Sequence, residues 1–342
     1  MALSGLSTSP LTSDPEIAQE LRTKTYPLYV DDTRRGEVRL KIQSEFHLIC
    51  RICYMVETVA VCFIANDAVL PQTIAFLESL RANSGNIPLI CVAYDGNIRH
   101  LARLSALYDF EIREFDAKEL NELSKQIYGK VTNRLRKLGV FSLDLGKFFL
   151  LDTDIIVLQD LHCMFELLDD KADIIYADRS PGSSYNSSGL STFPKAVEFN
   201  SGAFLSSNKK MSLSSIVNTV QSQLKMYKSL AILETDDQPM LNFVADINNK
   251  QCRNFDHVNA PYSTDTWYLL DKLNYENNIV VRSLDKKPVP FLHYAGVVYF
   301  GGIFKAPRYR ELFLDYYVAG LKRISDANID VRKYLGSAGT RP

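Results

Sequence analysis

From Val59 onward, hydrophobic positions alternate between two rhythms. Val59–Ala65 is an unbroken run of apolar residues, three of them β-branched, as in a strand buried on both faces. Residues 70–81 then space Leu70, Ile74, Leu77 and Leu80 at helical intervals, with Pro71 in the first turn. Residues 87–94 read as a second strand closed by Asp95-Gly96-Asn97, 98–108 as a helix and 110–115 as a third strand. Residues 134–143 carry helical spacing, and Lys147–Leu151 is a strand that stops at Asp152. This order predicts an α/β fold: a mostly parallel sheet with right-handed crossovers, flanked by helices. Ligands of such sheets sit at the carboxyl ends of the strands.

Further along, residues 180–195 are rich in Ser and Gly and predict a long loop, either a lid over an acceptor or a plain surface loop. Asn200-Ser201-Gly202 opens another strand-like run. Residues 209–227 and 236–247 read as helices, 288–293 as a last strand and 309–321 as a terminal helix. There is no internal repeat. Residues 1–15, rich in Ser, Thr and Pro, are expected to be disordered. An extension of unassigned role covers 16–55, with a hairpin pattern at 26–30 and 37–42. A single large domain is expected over 56–325, followed by a tail over 326–342.

Composition narrows the class. A chain of 342 residues can bury a large core, and 46% hydrophobic with 23% charged residues is ordinary globular usage. The net charge of −1 offers nothing to a polyanion, so no nucleic-acid partner is expected. The most apolar stretch, 47–65, is broken by Arg51 and Glu57, so no transmembrane segment is expected; no signal-peptide pattern stands at the start. Six cysteines are scattered, and Cys50 and Cys53 form a lone C-x-x-C better read as buried than as metal-binding or redox-active. A cytoplasmic location is the simplest expectation.

Chemistry enters where acidic residues interrupt apolar chain. In Phe148-Phe149-Leu150-Leu151-Asp152-Thr153-Asp154-Ile155-Ile156-Val157-Leu158, two carboxylates stand inside an otherwise apolar segment. An unpartnered buried carboxylate costs several kcal/mol, so both call for a pair, hydrogen bonds or a metal. In extended chain, positions i and i+2 point the same way, so Asp152 and Asp154 can converge on one ion. Oxygen ligands favour Mg²⁺ or Mn²⁺. On their own, the two aspartates are equally readable as turn or cap residues.

Further motifs follow in order: Phe199-Asn200-Ser201-Gly202, then Asp237-Gln238 with Asn242 four residues on, then His293-Tyr294-Ala295-Gly296. Upstream stand Lys137-Leu138-Gly139-Val140-Phe141-Ser142-Leu143 and Ala65-Asn66-Asp67-Ala68. Together these resemble glycosyltransferase family 8, which takes in glycogenin and bacterial lipooligosaccharide galactosyltransferases; the resemblance spans about residues 59–305. It implies a GT-A (Rossmann-like) fold and a retaining, metal-dependent transfer of a hexose from a nucleotide-sugar donor, with UDP the expected nucleotide. The acceptor would be a carbohydrate, glycolipid or protein. By this resemblance Asp152, Asp154 and His293 would ligate Mn²⁺ or Mg²⁺, and Asp237 and Gln238 would lie at the reacting carbon. Ala65, Asn66, Asp67, Lys137, Thr153, Asn200, Ser201 and Gly296 would join Asp152 and Asp154 in holding the donor. Two positions depart from the family pattern. Val69 stands where an aromatic residue usually packs on the base. Val297-Val298-Tyr299-Phe300 follows Gly296, so the next phosphate-binding candidates are Gly301, Gly302 and Lys305.

Taken singly, these residues have plainer readings. His293 suits a structural histidine, Asp236 and Asp237 suit helix caps, Asn200 a turn and Lys137 a surface charge. The aromatic group of Tyr262, Trp267 and Tyr268 suits a core cluster or a sugar platform. Two other classes compete. A sugar nucleotidyltransferase would need a Gly-rich, basic loop after the first strand, and Ile64-Ala65-Asn66-Asp67-Ala68-Val69 has neither. A non-catalytic sugar- or nucleotide-binding protein of the same fold is the other. The sequence does not specify the oligomeric state.

Overall fold

A computed structural model describes residues 58–233, 237–258, 273–276, 279–282, 287–294 and 307–334. The hairpin pattern, Cys50, Cys53, Asp236, the aromatic group at 262–268, Gly296, Gly301, Gly302 and Lys305 lie outside the described residues.

The first strand, β1 (Val59–Ala65), leads through a short turn into α1 (Leu70–Ser84). Then follow β2 (Leu89–Ala93), α2 (Leu101–Tyr108), β3 (Glu111–Arg113) and α3 (Lys118–Tyr128). A 3₁₀ run over Asn133–Ser142 stands where the spacing predicts an α-helix. Next come β4 (Lys147–Leu151), β5 (Ile155–Val157), β6 (Ile174–Tyr176), α4 (Ser187–Thr192) and β7 (Ala203–Ser206). Residues expected to form one helix over 209–227 divide into α5 (Leu213–Ser222) and α6 (Leu224–Leu230) at Gln223, whose φ of −115° and ψ of 22° leave the helical region. The remaining elements are α7 (Asp237–Ile247), β8 (Cys252–Asn254), β9 (Leu273–Glu276), β10 (Ile279–Arg282), β11 (Phe291–His293) and α8 (Pro307–Asp326).

Seven strands form one mixed, mostly parallel sheet in the order β3-β2-β1-β4-β7-β6-β8. Strands β1, β2, β3 and β4 run parallel, and β7 is antiparallel to both neighbours. That reversal matters for function, because the residues entering β7 lie beside those leaving β4. A second ribbon pairs β11 antiparallel to β5, with His293 opposite Ile155. The expected long loop at 180–195 contains α4, whose start is capped by the Asn186 side chain on the Gly189 N–H.

The core lies on both faces of the sheet. Phe148, Leu150 and Phe204 join Leu123, Leu138, Phe141, Ile216, Val220 and Phe243 in one buried cluster. Helix α8 closes the domain against α1 through a close approach: a Cβ on Gly320 would overlap the Ile74 methyl and come within 3.0 Å of the Tyr108 hydroxyl. Beside it, Arg323 makes two bonds of 2.8 and 2.9 Å to Glu78, which also accepts from the Tyr108 hydroxyl at 3.0 Å. Among the described residues no helix is long and apolar enough to cross a membrane.

Candidate active site

Strand β4 delivers Asp152 to the carboxyl edge of the sheet, and the chain then turns through Thr153 and Asp154 into β5. The two carboxylates therefore converge across a turn, and not through the i, i+2 alternation of an extended strand. Two backbone bonds fix the turn to its neighbours. The Asp152 N–H donates to the Gly202 carbonyl at 2.8 Å, and the Tyr294 N–H donates to the Asp154 carbonyl at 2.9 Å. The first depends on β7 running against β4, the second on β11 running against β5.

As a result Asp152, Asp154 and His293 each offer a ligand atom within 4.8 Å of the other two. The imidazole Nε2 lies 3.3 Å from Asp154 Oδ1. That oxygen is buried and accepts no hydrogen bond among the described residues, and the same is true of Asp237 Oδ2. Gly202 leaves the space open: a Cβ there would overlap His293 Cε1 and stand 2.8 Å from Asp152 Oδ2 and from Asn200 Oδ1. Two carboxylates, one imidazole and an under-satisfied buried oxygen suit a hard divalent cation.

Among the described residues, the cations at the cluster are Lys137 and, when protonated, His293. Lys137 Nζ sits 2.8 Å from Asp152 Oδ1, donates to Oδ2 at 3.0 Å, and lies 3.7 Å from Asp237 Oδ2. Burial works against its charge, but Asp152, Asp237 and Asp154 outweigh burial and hold its proton more tightly than in free lysine. Burial pushes the Asp152 carboxyl above the usual range; Lys137 pulls it back and Asp154 adds to the rise. Burial also opposes the charge of Asp154, yet His293 brings its carboxyl below the usual range. For His293 burial favours the neutral ring, and Asp154, then Asp152 and Asp178, reverse this and raise its affinity for a proton. Among the described residues the arrangement is thus rich in carboxylates, three of them (Asp152, Asp154 and Asp237) around Lys137 and His293.

Next to the cluster, the start of β7 and the start of α7 are locked together. The Asn242 side chain clasps Phe199, accepting from its N–H and donating to its carbonyl, both at 2.9 Å. Asn200 closes its own turn, with Oδ1 accepting from the Gly202 N–H at 2.7 Å. Gln238 Oε1 accepts from the Ser201 N–H at 3.1 Å, and its Nε2 donates to Ser183 Oγ. Asp237 and Gln238 are both buried at the first turn of α7.

In the loop after β1, the side chains of Asn66 and Asp67 bond within the protein. Asn66 Oδ1 caps the Ala68 N–H at 3.0 Å while its Nδ2 donates to Asp95 at 3.0 Å. The Asp67 carboxylate accepts from the backbone N–H groups of His100 and Leu101 at the start of α2, and the Ala65 carbonyl accepts from the Tyr94 N–H at 3.0 Å. These side chains stitch the β1 and β2 loops together at the same edge of the sheet. Asp178 and Glu198 are buried beside the site without having been singled out in the sequence. Asp178 was signalled in the same way as Asp152, by an acidic residue ending an apolar strand; Glu198 had no such signal.

Comparison with known proteins identifies the family. The glycosyl transferase family 8 profile matches residues 73–298. Among solved structures, galactosyltransferase LgtC in complex with donor and acceptor sugar analogues superposes with a TM-score of 0.50 at 15% identity, covering 75% of this chain and 95% of LgtC. An active-site mutant of LgtC gives 0.52 at 15% identity with the same coverage. The apo WbbM bifunctional glycosyltransferase gives 0.50 at 15% identity over 78% of this chain and 52% of WbbM. At such identities the superpositions speak for the fold alone. No curated protein matches by sequence. With a family match over well more than half its length, on a mostly parallel sheet flanked by helices, the chain is a glycosyltransferase belonging to glycosyl transferase family 8.

Proposed function

We propose that this protein is a metal-dependent, retaining glycosyltransferase that moves a hexose from a UDP-sugar to a carbohydrate, glycolipid or protein acceptor in the cytoplasm, with residues 56–325 as its catalytic domain. The observation that carries the reading is the convergence of Asp152, Asp154 and His293 on one space that Gly202 keeps clear. Asp152, Asp154 and His293 would hold Mn²⁺ or Mg²⁺, which when bound offsets the charge of the departing diphosphate.

The chain's own residues do the rest. Lys137, held between Asp152 and Asp237, brings a permanent positive charge to the carboxyl edge, where a phosphate or sugar hydroxyl would compete for it. Gln238 presents a side-chain amide fixed at both ends, suited to bear on an oxocarbenium-like sugar on the face away from the leaving group. Asp237 stands next to it with one buried oxygen that makes no hydrogen bond among the described residues. Asn66 and Asp67 shape the donor loop through the backbone, so their contribution to nucleotide binding is through loop geometry.

Thermal melting with UDP, UDP-glucose and UDP-galactose, each with and without Mn²⁺, tests the reading, since a ligand of the native state raises Tm by mass action. UDP should raise Tm only with Mn²⁺, and Asp154→Asn should abolish that shift. UDP binding that ignores both metal and mutation would overturn it.

A further inference from the structure

Gln238 is held by a device that begins at Glu198, two residues before Asn200. Glu198 is buried, 4% exposed, and has a φ of +49°. Among the described residues, the other non-glycine positions with positive φ are Asp109, Asn249 and Asn328, types that tolerate the left-handed region. A glutamate there is strained and persists only where its surroundings impose it.

The surroundings are the loop after Arg179. Glu198 Oε2 accepts from the Gly182 N–H at 2.9 Å, and Oε1 accepts from the Ser184 and Tyr185 N–H groups at 3.0 and 3.3 Å. The Glu198 carbonyl accepts from the Ser180 N–H at 2.7 Å. One residue thus gathers four backbone donors of a loop whose Gly182 has a φ of +75°. Ser183, in the middle, is the one residue from 182 to 185 whose N–H bonds elsewhere: it donates to the Ser180 carbonyl at 3.2 Å. Its hydroxyl donates to the same carbonyl and accepts from Gln238 Nε2. The opposite end of the Gln238 amide accepts from the Ser201 N–H, a group that can only donate. The amide therefore has one allowed orientation, oxygen toward Ser201 and nitrogen toward Ser183.

We propose that Glu198 is a positioning residue for sugar transfer: by wrapping loop 180–185 about its carboxylate it places Ser183 to fix the orientation of the Gln238 amide at the reacting centre. This rests on the reading of Gln238 given above, because the catalytic consequence needs Gln238 at the sugar. The backbone donors satisfy the carboxylate without a cation, so the device works by geometry.

The test uses the full chain with Glu198→Gln, Ser183→Ala and the double variant. In Glu198→Gln one side-chain oxygen can still accept from Ser184 and Tyr185, but an amide nitrogen then faces the Gly182 N–H. Amide hydrogen exchange at Gly182, Ser184 and Tyr185 should quicken, and the Gln238 side-chain NH₂ resonances should shift or split. UDP release from UDP-glucose and UDP-galactose with Mn²⁺ should show kcat down about tenfold with donor KM little changed, as expected for lost orientation. Ser183→Ala should lower kcat in the same way while the three backbone amides stay protected. The double variant should be no slower than Glu198→Gln, since both act through Gln238. Wild-type Gln238 resonances in Glu198→Gln would overturn the proposal, as would additive kcat losses. If the wild type releases UDP from neither sugar, the donor reading fails, and the Gln238 resonances still decide the role of Glu198.

Discussion

Asp152 and Gly202 are joined across neighbouring antiparallel strands by a 2.8 Å bond from the Asp152 N–H to the Gly202 carbonyl, and the glycine faces the aspartate's own carboxylate at a distance that admits no side chain. The bond sets the position of the carboxylate, and the missing Cβ sets the room in front of it. Gly202→Ala should therefore keep the fold while displacing His293 or Asp152 Oδ2. We expect Mn²⁺ affinity to fall about tenfold or more, as when a ligand's support is disturbed, with far-UV circular dichroism unchanged. Titration calorimetry with Mn²⁺ checks it, and unaltered affinity would remove Gly202 from the site.

Lys137 competes for the same oxygens that a cation would use. Its ammonium spans both Asp152 oxygens and approaches Asp237. Replacing it by Met removes that competing charge, so Mn²⁺ should bind several-fold more tightly in the absence of nucleotide. Turnover with a UDP-sugar should fall nonetheless, because the positive charge next to the reacting centre is lost. Tighter metal binding together with slower turnover is the expected pair of results. Weaker metal binding would show that Lys137 supports the metal site by packing.

How much of this was legible in the sequence depends on what each residue's environment encodes locally. Strands β1 and β4 are bounded as predicted because each is a doubly buried apolar run that ends at a polar residue, Asn66 or Asp152. The three-residue strands β5 and β6 are too short to show a period of their own. Helix α3 carries Leu120, Leu123 and Ile127 at helical spacing, so its signal is present in the sequence. The break at Gln223 has neither Gly nor Pro to announce it, and the fold there overrides local propensity. In the site, carboxylates that interrupt apolar chain were visible. The backbone bonds that occupy Asp67 and Glu198 were not, because their partners lie in segments brought close only by folding.

The α8 contact offers a stability prediction separate from catalysis. Glu78 is nearly buried and is satisfied by Arg323 and the Tyr108 hydroxyl. Arg323→Ala leaves the carboxylate with the tyrosine alone. Since Arg323 is itself partly exposed, solvent can reach the gap, and a loss of about 1–3 kcal/mol is expected. Urea unfolding measures it. Adding Glu78→Gln should restore part of the loss, and Mn²⁺ affinity should not move in either variant.

His293 should give the metal-free and metal-loaded proteins opposite responses to pH. Without metal, Asp154 and Asp152 overcome burial and raise the pKa of His293 above its ordinary value of 6.5. A group whose folded pKa is raised contributes stability that is fully present below the unfolded value, and that contribution is lost as pH rises through the folded value. In EDTA this part of the stability should therefore decline as pH rises above 6.5. A metal-ligating imidazole must be neutral, so protons and Mn²⁺ compete for it. The rise in Tm produced by a fixed, limiting Mn²⁺ concentration should then grow over the same interval in which the EDTA curve falls. Activity at limiting Mn²⁺ should have an acid limb that moves to lower pH as Mn²⁺ is added. His293→Ala should remove the fall in EDTA and the metal-sensitive part of the acid limb, while Asp152 and Asp154 retain weak binding. The measurement is a grid of melting curves and rates over pH and Mn²⁺ for wild type and variant. If the Mn²⁺-induced shift keeps one size at every pH, and the acid limbs coincide at every metal concentration, His293 is a structural partner of Asp154 and the metal is held by the carboxylates without it.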